Sequence, residues 1–179
     1  VTLVSITCEG EQSAFRLFET LNDRGLELSS VDLMKNYTFS KAATSSDIDY
    51  DKVREDWEDL INVVVPNVSK PSRFFRHYIM SCRTPNYDDD VSNYKLYDEY
   101  QKIIDEQLPE VGMMLNEYVH NLSLNADLYV KIINKDIDMY SDKGNKDINS
   151  KLEDLDVINS VQARTLMLRI FDEYDTANR

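Results

Sequence analysis

The sequence predicts a mainly α protein, built as a bundle of several helices. Glycine and proline occur four times each in 179 residues, which is too few turn residues for an all-β protein of this length. Apolar residues recur instead at helical spacing along most of the chain. These two observations predict one helical domain, with or without an appendage, that is long enough to bury most of its apolar surface.

A single β-strand is expected at the start of the chain. Residues Thr2 to Cys8 alternate in polarity and are rich in β-branched side chains, and the Glu9–Glu11 segment forms the exit turn. One strand is not stable alone, and the chain begins VTLVSITC without an initiator methionine. We therefore expect the chain to be an internal piece of a longer protein whose preceding part supplies further strands.

A helix–loop–helix follows, with the clearest stop and start signals in the sequence. The first helix is predicted over about 12–21 and the second over about 30–43. The polar loop Asn22–Gly25 between them ends in a glycine, which suits the left-handed residue that terminates a helix. Ser29 and Asp32 form a short version of a capping box. Capping accounts for these residues without a ligand, and a ligand site is the alternative.

Further helices are predicted along the rest of the chain. The third begins at Tyr50 and is expected to end at Pro66, because proline disrupts a helix interior. The fourth opens at Pro71 and ends near Cys82. The remaining helices are predicted over about 94–108, 109–122, 124–140, 148–158 and 161–174, with a loop at 141–149. The last of them is expected to bury Met167, Ile170, Phe171 and Tyr174.

The charge of the chain restricts its partners. The 33 acidic and 20 basic residues give a formal net charge of -13, which repels nucleic-acid phosphate and anionic lipid at long range. Contact with DNA therefore requires a local basic patch. No apolar run approaches the ~20 residues that span a bilayer, so no membrane partner is expected. Cys8 and Cys82 are interpreted as free thiols in a reducing, cytoplasmic compartment.

No catalytic residue and no metal site is predicted. His77 and His120 are the only histidines, and neither stands at a metal-ligand spacing. The acidic Asp88–Asp90 segment is interpreted as a solvated loop, because it lacks the glycine and distal glutamate of a calcium loop. The sequence also contains no glycine-rich phosphate loop and no nucleophile elbow.

A local basic stripe lies on the predicted fourth helix, KPSRFFRHYIMSCR. At about 100° per residue, one side of this helix is apolar and carries Phe74, Phe75, Tyr78, Ile79 and Cys82. The other side carries Lys70, Arg73, Arg76, His77 and Arg83. Arginine grips phosphate oxygens bidentately, so the stripe predicts DNA contact through Lys70, Arg73, Arg76 and Arg83. The alternative is an ordinary solvated face whose cations pair with neighbouring carboxylates.

The segment AFRLFETLNDRGLELSSVDLMKNYTF, residues 14–39, resembles an internal signature of the GmrS/GmrD-type modification-dependent restriction proteins. The matching residues are Phe18, Asn22, Arg24, Gly25, Leu28, Ser29, Asp32, Leu33, Lys35 and Asn36. The resemblance covers roughly residues 1–100 well and the remainder loosely.

This resemblance implies a ParB-like α/β domain, with an Asp-Gly-Gln-Gln-Arg motif that handles nucleotide, upstream of a helical region. Many members also end in an HNH nuclease domain. Neither motif occurs in this chain. The implied division is a C-terminal remnant of the ParB-like domain over residues 1–45 and a helical domain over residues 46–179. The fold class becomes mainly α, with one strand left from a truncated ParB-like domain.

The implied function is that of the helical part of a prokaryotic DNA restriction or defence protein. Its partners are the upstream ParB-like domain and DNA, and the residues that complete the nucleotide site are Asn22, Arg24, Gly25, Asp32 and Lys35. The fragment is expected to hold no cofactor and to have no catalysis of its own. A nucleoside triphosphate and endonuclease activity would belong to the full-length parent. The alternative is a non-enzymatic acidic helical module that docks a partner protein or mimics DNA. The oligomeric state is left open.

Overall fold

The computed structural model describes residues 30–82, 91, 95–157, 160 and 162–178, and over these residues the protein is helical, as predicted. The predicted strand over Thr2–Cys8, the first helix and the Asn22–Gly25 loop lie outside the described residues. The helices are α1 (Ser30–Thr44), α2 (Tyr50–Asn67), α3 (Ser72–Ser81), α4 (Leu96–Lys102), a π-helical turn (Ile103–Gln107), α5 (Leu108–Val111), α6 (Leu115–Asn134), α7 (Asp142–Val157) and α8 (Ala163–Asn178).

The core is organised around α2 and α6, which pack along each other. Trp57 and Leu60 of α2 are fully buried, as is Leu122 of α6. The Trp57 ring stacks on Phe75 with the centroids 5.7 Å apart, so α3 is joined to the same core. Aromatic pairs of this kind contribute about 0.5–1.5 kcal/mol each beyond the area they bury.

The α1 helix packs against α2 and α4, and polar contacts fix its position. The buried hydroxyls of Thr38 and Tyr100 share a hydrogen bond of 2.6 Å. Asp105, in the π-helical turn, accepts a hydrogen bond from Tyr37 and pairs with Lys41 at 2.8 Å. Although partial burial acts in the opposite direction, these two partners lower the pKa of Asp105.

The α2 helix continues through Pro66, so the prediction that Pro66 ends it is wrong by one residue. A proline costs most in a helix interior, where its missing N–H removes a hydrogen bond. Pro66 lies in the last turn, one residue before the helix ends. That end is closed by Asn67, whose amide donates to the Val63 carbonyl, and by Val68, whose N–H donates to Val64.

Several boundaries in the second half also differ from the predictions. The α6 helix runs unbroken from Leu115 to Asn134, so the predicted separation near residue 123 does not exist. The α7 helix begins at Asp142, so the predicted 141–149 loop is wrong. Gly144 and the polar residues around it mimic a loop, but Asn145 and Asn149 bond to the backbone of the preceding residues 137–140 and fix the start of the helix.

The buried face of α8 is rotated from the predicted one. Leu168 and Phe171 point into the core, whereas Ile170 is 46% and Tyr174 39% exposed. The helix carries apolar residues on two faces, and their spacing alone does not indicate which face is covered. Among the helices of the described residues, none is long and apolar enough to cross a membrane.

Candidate functional site

The predicted basic stripe lies on α3, and the structure places its two sides almost as expected. Phe74, Phe75, Tyr78 and Ile79 are buried, while Cys82 just beyond the helix is exposed. His77 is the exception, since it is only 5% exposed and belongs to the buried side. The apolar face of α3 is therefore wide enough to include position 77, because α6 and α8 both pack on it.

His77 is buried next to a tyrosine from α6. Its Nδ1 atom lies 2.7 Å from the hydroxyl of Tyr129, and the two rings meet edge to face with their centroids 5.6 Å apart. Tyr129 is itself fully buried. The hydrogen bond satisfies one polar atom of each side chain, which removes the cost of burying both unpaired.

Three arginines act electrostatically on His77, and two of them, Arg73 and Arg164, act on Tyr129 as well. We refer to Arg73, Arg76 and Arg164 as the guanidinium cluster. Burial and then repulsion by the cluster lower the pKa of His77 to about 4, so the imidazole is neutral at pH 7. Burial also raises the pKa of the Tyr129 hydroxyl, while the charges of Arg164 and Arg73 oppose that change. Cations from α3 and α8 therefore act on the same two buried side chains.

Both cluster helices begin in a way that is unfavourable for an isolated helix. Arg73 and Arg164 each lie in the first turn of their helix, and neither helix has an acidic residue there. The N-terminus of a helix carries partial positive charge, so carboxylates stabilise it and cations do not. Two helices that act on one buried pair thus both begin with an arginine where an acidic residue would be more stabilising. Local departures of this kind from the most stable choice are common at functional sites.

Within the part of the chain that the structure describes, Arg73 and Arg164 have one carboxylate partner between them. Among the described residues, no carboxylate lies within 4.0 Å of Arg73, which is half-buried. Arg164 pairs with Asp156 at 3.1 Å, and Lys135 pairs with the same carboxylate. One carboxylate thus serves two cations. The pKa of Asp156 is lowered chiefly by Lys135; burial opposes this change, and Arg164 adds to it.

This arrangement suits an oxyanion such as a phosphate group. A guanidinium presents several N–H donors in a planar fork, and a half-buried one interacts more strongly than one in open water. Arg73 has its guanidinium charge available for such a ligand, with Arg164 and Lys135 on the neighbouring elements. The site can bind and orient an anion.

The other predicted DNA-contacting residues have different environments. Lys70 is exposed in the turn before α3. Arg76 is half-buried, and its Nε atom donates to the carbonyl of Val91, which ties the chain at residue 91 to α3. Arg83 lies outside the described residues. The charges of Arg73 and Arg76 thus act on His77, whereas Lys70 is exposed to solvent.

The predicted nucleotide-site residues are placed only in part. Asn22, Arg24 and Gly25 lie outside the described residues. Asp32 and Lys35 are exposed on the first half of α1, and the Lys35 ammonium lies 5.5 Å from the centroid of the Phe39 ring. This pair lies on α1, whereas the guanidinium cluster lies on α3 and α8.

Sequence reasoning missed three residues of the site, Tyr129, Arg164 and Lys135. All three stand more than fifty positions from Arg73 in the sequence. The packing of α6 and α8 on α3 brings Tyr129 and Arg164 under the same charges as His77, and Lys135 joins them through Asp156, which it shares with Arg164. One signal was readable: the start of α8, Ala-Arg-Thr, has an arginine where helices usually have an acid.

A second cluster of titratable side chains, centred on the buried Asp56, lies between α2 and α6. The Asp56 side chain is 4% exposed, and its Oδ1 atom lies 3.0 Å from Lys52 Nζ and 3.2 Å from His120 Nδ1. His120 is half exposed. Because the carboxylate is buried between the two central helices and holds a partner from each, we assign the group a structural role. Within the described ranges, no three His, Cys, Asp or Glu side chains are grouped as metal ligands.

The chain was compared with protein-family models, with curated proteins and with solved structures. No family model, curated protein or solved structure matches the chain.

Proposed function

We propose that this chain is a helical domain that contacts nucleic-acid phosphate through the guanidinium cluster at the starts of α3 and α8. The observation that carries the proposal is Arg73, a half-buried guanidinium without a carboxylate neighbour among the described residues. The chain has a formal net charge of -13, so an arginine without a neighbouring carboxylate is a local exception to its overall negative charge. Phosphate contacts of this type position a protein on DNA without reading its sequence.

The biological setting we propose is a prokaryotic DNA restriction or defence protein. Its support is the resemblance of residues 14–39 to the GmrS/GmrD-type signature. In that setting the helical domain assists nucleotide and DNA binding by a ParB-like domain, and catalysis belongs to the parent protein. Asn22, Arg24, Gly25, Asp32 and Lys35 remain the proposed contribution to the nucleotide site.

Measurement of duplex-DNA affinity as a function of salt tests the phosphate contact. Binding of a short fluorescent duplex is followed by anisotropy at several salt concentrations, and the slope of log affinity against log salt counts the phosphates neutralised. Arg73→Ala and Arg164→Ala are each expected to weaken binding for all sequences alike and to reduce the magnitude of the slope by about 1.

Arg54→Ala is the matched control for these variants. Arg54 is 54% exposed on α2 and pairs with Asp51 at 3.8 Å, so its loss changes the net charge equally but removes a cation from a helix that carries no residue of the cluster. We expect its affinity and salt slope to equal those of the unmodified chain. If Arg54→Ala weakens binding as much as Arg73→Ala does, general charge rather than the cluster governs the interaction, and the proposal fails.

The acidic interaction module remains a second candidate because one surface feature favours it. A shallow groove of about 400 Å³ lies at the start of α2, lined by Asp49, Asp51, Lys52, Arg54, Glu55 and Glu58. Its two cations are already paired with carboxylates, Lys52 with Glu55 at 3.3 Å and Arg54 with Asp51. Such a surface suits a basic polypeptide rather than DNA.

A further inference from the structure

A carboxylate of the chain itself is bound to the guanidinium cluster. Asp156, in the last turn of α7, pairs with Arg164 at the start of α8 and with Lys135 just after the end of α6. Nη2 of Arg164 donates to Oδ1 of Asp156 at 3.1 Å, and the Lys135 ammonium contacts Oδ2. Both oxygens of this carboxylate are therefore engaged by cations of the proposed phosphate site.

Asp156 and Arg164 each lie at the end of a helix where their charge is unfavourable. The C-terminus of a helix carries partial negative charge and the N-terminus carries partial positive charge. Asp156 lies in the last turn of α7, which has no basic residue, and Arg164 lies in the first turn of α8, which has no acidic residue. The dipoles of the two helices do not explain this placement, whereas the contact between the two side chains does.

The lysine partner of Asp156 is held by an uncommon backbone conformation. Lys135 follows α6 with a φ of 55°, in the left-handed region that glycine adopts at less cost. Other residues keep this conformation where the surrounding structure imposes it, and such positions cluster at ligand-binding and switch regions. The turn places the Lys135 ammonium on the carboxylate that also binds Arg164.

The contacts of Asp156 can be exchanged for those of an external anion. The Asp156 side chain is 38% exposed, and ion pairs that reach solvent contribute little to stability because water screens them. Asp156 contacts Nη2 of Arg164, whereas a phosphate group can accept from two guanidinium nitrogens at once. A DNA backbone presents a row of phosphates, so it can contact Arg73 as well as Arg164.

We propose that Asp156 is an internal competitor for the phosphate site, and that DNA binds when a backbone phosphate replaces this carboxylate at Arg164 and Lys135. This inference rests on the proposed function and adds an autoinhibitory contact to it. In the free chain, Asp156 neutralises part of the positive charge that the site presents. Its release makes the charges of Arg164 and Lys135 available together with that of Arg73.

Asp156→Asn tests the competition by anisotropy with the same fluorescent duplex. The amide has nearly the size of the carboxylate but no charge, and circular dichroism checks that the helical fold is kept. We expect the affinity to rise about threefold, because DNA no longer has to displace an exposed ion pair.

Asp154→Asn is the matched control, since it lies on the same helix and changes the net charge equally. Asp154 is 66% exposed and pairs with Lys151 of its own helix at 2.9 Å. We expect a smaller gain in affinity than for Asp156→Asn. Equal gains in the two variants would show that general charge is responsible and would overturn the inference.

Arg164→Ala shows whether Asp156 acts through the guanidinium cluster. In that background, the gain from Asp156→Asn is expected to shrink, because the arginine that it would release is absent. The same gain with and without Arg164 would contradict the proposed competition.

The outcomes also separate this inference from the proposed function. If Arg73→Ala weakens binding but Asp156→Asn leaves it unchanged, the phosphate contact stands and the autoinhibitory contact is wrong. If Arg73→Ala has no effect, or if neither the unmodified chain nor Asp156→Asn binds the duplex, both fail. Binding that appears only in Asp156→Asn and is lost again on Arg73→Ala would support both.

Discussion

At the scale of single residues, His77 shows how the site differs from an ordinary surface. The sequence places it among cations on one side of α3, and that pattern predicts a solvated imidazole. The structure buries it against Tyr129, and the charges of Arg76, Arg73 and Arg164 act on it. Because His77 is neutral at pH 7, the positive charge of the site comes from its arginines alone and the histidine adds no further repulsion.

The titration of His77 predicts a pH dependence of stability. Its pKa is about 4 in the folded chain and 6.5 as a free side chain, so between these values the unfolded chain binds a proton that the folded chain does not. Above pH 6.5 the titration of His77 therefore does not change the free energy of unfolding. As pH falls from 6.5 towards 4, it lowers that free energy by up to about 3 kcal/mol.

Urea unfolding between about pH 7 and pH 5 measures this effect. In His77→Gln the amide can still accept a hydrogen bond from Tyr129 but does not titrate. We expect the loss of unfolding free energy over this range to be smaller in the variant than in the unmodified chain. The same pH slope in both chains would show that His77 does not titrate as described.

At the scale of the elements, the sequence predicted helices better than it predicted their ends. The stripe over residues 50–64 identified α2 because one wide apolar face meets the core. The start of α7 was missed because Gly144 and its polar neighbours read as a loop. Its contacts with residues 137–140 are made by asparagine side chains, which no periodicity of apolar residues reveals.

The same limit applies to the site. Arg73 could be predicted, since its helix is strongly amphipathic and an arginine on the polar side is visible in the sequence. Arg164 and Tyr129 could not, because their nearness to Arg73 depends on which faces of α6 and α8 pack on α3. The exposed face of α8 was likewise hidden, since a helix with two apolar faces does not indicate which one is buried.

The α5 helix ends at a glycine whose left-handed backbone conformation predicts the effect of a substitution on stability. Gly112 has a φ of 70°, in the left-handed region that glycine adopts at little cost. An added Cβ would have no atom within 4 Å, so the cost of Gly112→Ala comes from the backbone conformation alone. We expect a loss of about 1 kcal/mol, measured by urea unfolding with an unchanged m value.

Gly144→Ala is the matched control for that substitution. Gly144 lies inside α7, where alanine is favoured by about 1 kcal/mol, but its Cβ would approach Tyr140 Cβ to 3.2 Å. These effects oppose each other, so we expect a smaller change than at Gly112. A neutral Gly112→Ala would contradict the assignment of the left-handed turn.

At the scale of the whole molecule, charge is distributed unevenly. The acidic groove at the start of α2 and the guanidinium cluster between α3 and α8 are opposite in sign within one bundle. An acidic protein that binds DNA must present its phosphate contact locally and keep its carboxylates away from the duplex.

The most direct test of the phosphate contact is a map of the surface that responds to DNA. A short duplex is added to the ¹⁵N-labelled chain, and chemical-shift changes are followed for backbone amides and arginine Nε groups. The account predicts changes centred on residues 70–77 and 162–165, including the side chains of Arg73 and Arg164, and their loss at high salt. Changes confined to residues 49–58 of the acidic groove, or no localised changes at all, would contradict it.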